Sequence, residues 1–270
     1  MNDPSAGYVH GYHDREHERL VAQANTLAEL LHHDTAYPPH TRVLEAGCGV
    51  GAQTVTLVAN SPDAHFTCID ISPESLNAAE ARMTTAEHSN AYFQQADLYE
   101  LPFADETFDH VFVCFVLEHL PNPPAALQSL RRKLKPGGSI TVIEGDHGSA
   151  YFHPRNDAAD HAIRCLIELQ ARAGGDSLIG RRLYPLLTEA GFAGVSVSPR
   201  MVYADAGRPQ LVEGFTKNTF TAMVEGVRHA ALEARLIDPD IWDRGIAGLY
   251  RTAEEDGTFC YAFFKGVGYR

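Results

Sequence analysis

The chain's 270 residues are enough to bury a substantial core, and 44% hydrophobic with 21% charged residues is a globular composition, without low-complexity tracts or internal repeats. A formal net charge of −13 opposes binding to a polyphosphate backbone, so nucleic acid is not an expected partner. The five scattered cysteines lack zinc or redox spacing, and no metal is expected. The start carries no apolar leader and the longest apolar run, Val111 to Leu117, is too short for a membrane span, which points to the cytoplasm.

In chain order, residues 1–40 read as an N-terminal arm followed by an amphipathic helix, because Leu20, Ala24, Leu27 and Leu31 recur at helical spacing. Strands are predicted near Arg42 to Cys48, His65 to Ile71, Ala91 to Asp97, Phe108 to Val116 and Ser139 to Asp146. Helices alternate with them near Gly51 to Asn60, Pro73 to His88 and Pro123 to Leu134, the rhythm of a doubly wound α/β sheet covered on both faces. Lys135-Pro136-Gly137-Gly138 reads as a turn, and Arg131, Arg132, Lys133 and Lys135 as cations favoured at a helix end.

Beyond Asp146 the rhythm changes. Additions are expected at about 147–177, with helices from Asn156 to Ala173 and Gly180 to Ala190 and a strand from Gly194 to Tyr203. Residues 204–257 read as a helical cap. There Leu211, Phe215, Thr219, Met223, Val227 and Ala230 share one helical face, and Asp238-Pro239 opens a helix carrying Trp242, Ile246 and Leu249. A strand from Thr258 to Lys265 closes the sheet, so residues 41–270 form one domain.

The stretch from Val43 to Gly51 is a strand running into a glycine turn that opens a helix, and Asp70 ends the next strand; both suit a nucleotide site. The spacing is G-x-G-x-G rather than the dinucleotide G-x-G-x-x-G. Glu45, two residues before the first glycine, favours a cationic ligand over a diphosphate, and Asp97 after the third strand suits an exocyclic amine.

These residues, with Asp70-Ile-Ser-Pro-Glu74, Gln95-Ala-Asp97, Leu101 to Asp109, Val116-Leu-Glu-His119 and Leu134 to Gly138, resemble the class I S-adenosylmethionine-dependent methyltransferases, specifically their ubiquinone/menaquinone-methylase-like branch. The resemblance covers most of the chain. It implies a Rossmann-like seven-stranded sheet with the last strand antiparallel, S-adenosylmethionine as cofactor and S-adenosylhomocysteine as product. It also implies Gly47, Gly49 and Gly51 around the methionine moiety, Asp70 on the ribose, and Asp97 with Leu98 at the adenine. Cys48, Ile71 and Phe115 complete the expected cofactor set. The cap and the segment Glu144 to Ser149 depart from the commonest members, so the acceptor's identity does not transfer.

Methyl transfer is an in-line displacement driven by positioning, with a base needed only when the nucleophile arrives protonated. Ligands of open α/β sheets bind outside the strands' carboxyl ends, which singles out Glu118 for substrate contact and His119, Glu144, Asp146 and His147 as catalytic candidates. Each has a structural alternative in capping or pairing. Tyr12, Tyr151, His153 and Tyr203 are further candidate substrate contacts, with Tyr8, Tyr12 and His13 as a possible lid. Asn122-Pro123-Pro124 is followed by Ala125 rather than an aromatic residue, so it reads as a helix cap.

A small-molecule methyl acceptor fits the cap and the acidic charge. The alternatives are methylation of protein or RNA through an open groove, a cofactor-binding module without turnover, and, on the glycine motif alone, a dehydrogenase.

Overall fold

The computed structural model describes residues 14–270. Its amphipathic first helix, α1 (Asp14–His32), precedes the β1 (Arg42–Ala46), α2 (Thr54–Asn60), β2 (His65–Asp70), α3 (Pro73–Thr85), β3 (Ala91–Gln95), β4 (Phe108–Cys114), α4 (Pro123–Lys133) and β5 (Leu134–Gly145) series. Then come β6 (Tyr151–His153), α5 (Asp157–Arg172), α6 (Leu183–Glu189) and β7 (Ala193–Ala204). The cap holds α7 (Pro209–Leu211), a π-helical stretch Val212–Thr221, α8 (Ala222–Gly226), α9 (Arg228–Glu233) and α10 (Pro239–Arg251), before β8 (Thr258–Tyr269).

Strands β1 to β5 are parallel in the order β3-β2-β1-β4-β5, and β8 runs antiparallel beside β5 with β7 on its other side. The short β6 pairs only with Tyr151↔Cys260 to His153↔Thr258 at the start of β8, bringing the sheet to 8 strands where seven were expected. Alternate residues serve opposite faces, both buried: Val43, Phe66 and Phe112 face α1, α2, α5 and the cap, whereas Leu44, Ile69 and Val111 face α4 and α6.

Two boundaries move for backbone reasons. β4 ends at Cys114, because Phe115 takes φ 57 and cannot continue an extended strand. The turn expected at Lys135 to Gly138 is instead an irregularity inside β5: Leu134 pairs with Phe108, and pairing resumes at Ser139↔His110. Asn122 caps α4 by accepting from the Ala125 amide at 3.2 Å, with proline in the first turn.

Among the described residues no helix is long and apolar enough to cross a membrane, and no cluster of His, Cys, Asp and Glu suits a metal ion. All five cysteines are buried and free.

Candidate active site

A cavity of about 430 Å³ lies outside the carboxyl ends of the parallel strands, as expected of an open α/β sheet. Its two halves have different origins.

The first half is built from strand ends. After β1 the chain reverses, and the amides of Gly47 and Cys48 both donate to the Ile69 carbonyl at 2.8 and 2.9 Å. Gly47 has φ 77, and a Cβ there would strike the Val116 side chain; Gly51 has φ 73 and is pressed against Ala79. Gly49 differs, because a Cβ on it would meet nothing within 4 Å, and it lines the cavity. The Gly49 amide donates to Asp70 Oδ2 at 2.8 Å and the Ser72 amide to Oδ1 at 2.9 Å, which locks the carboxylate in place. Burial pushes the Asp70 carboxyl above its ordinary value against the pull of these amides. Ile71, Asp97, Leu98 and Tyr99 continue this wall, and Asp97 Oδ1 accepts from the Tyr99 amide at 2.9 Å.

The second half comes from distant parts of the chain. α1 contributes Arg19, Leu20 and Gln23, with Arg19 Nη1 donating to Gln23 Oε1 at 3.0 Å. From the cap come Phe215, Thr219, Phe220 and Met223. Within the π-helical stretch Thr219 Oγ1 donates to the Gly214 carbonyl five residues back, at 2.7 Å. The wider turn brings both Thr219 and Phe220 to the cavity beside Phe215. Thr26 occupies the space a Gly214 Cβ would need, so α1 and the π stretch meet at van der Waals contact. Tyr261 and Phe263 of β8 complete an aromatic cluster, 5.4 Å from Phe215 to Tyr261 and 5.3 Å from Phe115 to Phe263.

His147, 6% exposed, sits between the halves, with Nδ1 2.8 Å from the Tyr261 hydroxyl and Nε2 buried without a partner. Burial lowers its basicity, with Glu118, Asp146, His119 and Arg19 as the surrounding charges. Gly145 is required here, since any Cβ would collide with the Tyr261 hydroxyl. Half-buried His119 and Glu118 stand 3.7 Å apart, and Glu118 Oε2 accepts from Gln170 at 3.1 Å.

Thus Gly47, Cys48, Gly49, Asp70, Ile71, Asp97, Leu98, Phe115, Glu118, His119 and His147 share the cavity wall. Seven candidates among the described residues lie outside that wall, Gly51 among them. Glu45 is 2% exposed on β1 and accepts from Thr54 Oγ1 at 2.7 Å, so burial raises its carboxyl to about 7. Glu144 is fully buried on β5, behind the wall. Asp146 is clamped by Arg181 at 2.6 and 2.7 Å. Tyr151, His153 and Tyr203 stand exposed on β6 and β7, away from the cavity. Tyr8, Tyr12 and His13 lie outside the described residues.

Comparison with known proteins agrees with this architecture. A methyltransferase domain profile matches residues 44–142. A methyltransferase of Schizosaccharomyces pombe is 30% identical over 241 residues, covering 83% of this chain and 82% of that protein. The demethylmenaquinone methyltransferase of Staphylococcus aureus is 36% identical over 105 residues, 38% of this chain and 43% of that protein. Two further curated relatives are matched over 57% and 35% of their lengths. The fold matches a Haemonchus contortus phosphoethanolamine N-methyltransferase 2, solved with phosphomonomethylethanolamine and S-adenosylhomocysteine, at TM-score 0.57 and 15% identity over 91% of this chain and 52% of that one. The chain belongs to the class I S-adenosylmethionine-dependent methyltransferases.

Proposed function

We propose that this methyltransferase acts on a small, largely apolar molecule held between the strand-end wall and the α1–cap wall. The carrying observation is the cavity of about 430 Å³ at the strand ends, of a size that suits small-molecule sites, whose second half is roofed by α1 and the π stretch. A protein or RNA substrate calls for an open trough instead, and the net charge of −13 also disfavours RNA. Five free buried cysteines fit a cytoplasmic setting.

The first half fits S-adenosylmethionine. The Asp70 carboxylate accepts the Gly49 amide at Oδ2 and the Ser72 amide at Oδ1, with the Ile71 amide also contributing, and a carboxylate's lone pairs leave room for a ribose hydroxyl. Gly49 leaves its side of the cavity clear for the methionine moiety, while Gly47 holds the loop's reversed course. Asp97 would accept from the adenine amine, with Ile71 and Leu98 beside it in the wall. When bound, the cofactor supplies an electrophilic methyl group on a sulfonium.

In the second half Phe215, Phe220 and Phe263 exclude water and orient the acceptor, and the buried His147 stands in the same wall. His119 and Glu118 stand at the same wall as further acceptor contacts. Glu144 and Asp146 act from behind it.

Incubation with methyl-labelled S-adenosylmethionine and a cell extract split into metabolite and macromolecule fractions tests this reading. Label in a metabolite is expected. Label confined to macromolecules contradicts the proposed acceptor class, and cofactor binding without transfer to any fraction favours a module without turnover.

A further inference from the structure

The turn leaving β4 forms much of the cavity wall, yet little in its own sequence holds it. Phe115, Val116, Glu118 and His119 all line the cavity. Phe115 lies in the left-handed region, at φ 57, which bulky residues avoid. Val116 occupies the space beside Gly47, so its position also shapes the glycine loop. The following Leu117–His119 is a single 3-10 turn without a side-chain cap.

The amides that open this turn converge on one atom. Val116 and Leu117 donate to Glu144 Oε1 at 3.0 and 2.7 Å. Glu144 is 0% exposed, and its Oε2 has no partner. Burial, with Glu118 nearby, pushes its carboxyl well above the ordinary carboxylate range. A carboxyl group with an orphaned oxygen burdens a core, but without it two backbone amides would be orphaned instead.

We propose that Glu144 is a positioning residue, a double hydrogen-bond acceptor that holds the Phe115–His119 turn against the glycine loop and so sets cofactor affinity without touching the cofactor. This inference rests on assigning the strand-end half of the cavity to S-adenosylmethionine. A base or a substrate contact would have to reach the cavity, and Glu144 is not in its wall.

Glu144→Gln keeps an accepting oxygen and removes the charge, whereas Glu144→Leu keeps much of the volume and removes the acceptor. Three readouts separate them: S-adenosylhomocysteine affinity by calorimetry, the denaturation midpoint, and hydrogen exchange of the Val116 and Leu117 amides without ligand. Gln should bind within about threefold of the unmodified protein, across pH 6 to 8, and keep both amides protected. Leu should bind at least about tenfold more weakly, under conditions where it is folded, and its two amides should exchange at least about tenfold faster. A merely structural role would lower the midpoint and leave the affinity of the folded variant unchanged; that result overturns the proposal. So does a Gln variant as weak as Leu, which would mean that the charge is needed. Should Leu fail to fold, Glu144→Asp replaces it with the same expectations, since its shorter arm withdraws the acceptor. If Asp70→Ala binds like the unmodified protein, the cofactor assignment fails on its own; the amide exchange still decides whether Glu144 holds the turn.

Discussion

The two halves of the cavity solve the same problem by different physics. The strand-end half is made of backbone: a glycine reversal, paired amides on the Ile69 carbonyl, and a carboxylate pinned by two more amides. The second half is made of side chains that meet only when residues as distant as Arg19, Phe220 and Tyr261 pack together. Local backbone geometry tolerates little substitution, whereas an aromatic wall can be re-cut residue by residue, which suits a shared cofactor and a changing acceptor.

Substitutions in the two halves should therefore have separable effects. The largest is expected for Gly47→Ala, where positive φ costs about 1–2 kcal/mol and the clash with Val116 adds about 1–3 kcal/mol. Chemical denaturation should show a loss of about 2–5 kcal/mol, and S-adenosylhomocysteine affinity should fall in whatever remains folded. Phe220→Ala should cost about 3–5 kcal/mol, since this ring is 1% exposed, yet leave cofactor affinity within about threefold. An equal loss of affinity would show that the halves are not independent.

A pH titration of stability sharpens the contrast within the support behind the cavity. His32, whose Nε2 is 2.7 Å from Gln53 Oε1, is lowered by burial from 6.5 to about 4. Its contribution is present above pH 6.5 and is lost as pH falls toward 4, because the unfolded chain takes the proton first. Glu45 is raised by burial from 4.5 to about 7, so its contribution is present below pH 4.5 and is lost as pH rises through 7. Each shift is on the order of 3 kcal/mol. Between pH 4.5 and 6.5 these two contributions slope in opposite directions. Denaturation series should show the slope of stability against pH across that window becoming more positive in Glu45→Gln than in the unmodified protein; a slope unchanged by the substitution would refute the Glu45 assignment.

The smallest effect is expected at Tyr151 and Tyr203, 57% and 44% exposed and off the cavity. Alanine at either should change methyl-transfer rate, once an acceptor is found, by less than about twofold. A larger drop would extend the acceptor site to the β6–β7 surface.

How much was legible in the sequence follows the same division. Gly47, Gly49, Asp70 and Asp97 stand in local motifs at strand ends, where position along the chain nearly determines position in space, and all four line the cavity. Glu45 fits the motif yet points into the core, because alternation along β1 places it toward Thr54. Acidic and aromatic residues near strand ends were harder to sort. His147 lies in the wall, but its neighbours Glu144 and Asp146 are taken by backbone amides and by Arg181. The periodicity through Leu211, Phe215, Thr219 and Met223 identified a helical face in the cap, without indicating what it faces. Arg19, Gln23, Phe220 and Tyr261 carried no local signal at all. Their role depends on α1 seating against Gly214 and on which face of β8 turns toward the cap.

The most direct test of the central claim, that one cavity has a backbone-built cofactor half and a side-chain-built acceptor half, is calorimetric titration of S-adenosylhomocysteine into Asp70→Ala and Phe220→Ala side by side. Asp70→Ala should lose more than about tenfold, from removing a charged acceptor of ribose hydroxyls, and Phe220→Ala should keep near-unchanged affinity. Unchanged affinity in Asp70→Ala, or equal losses in both, would contradict that claim.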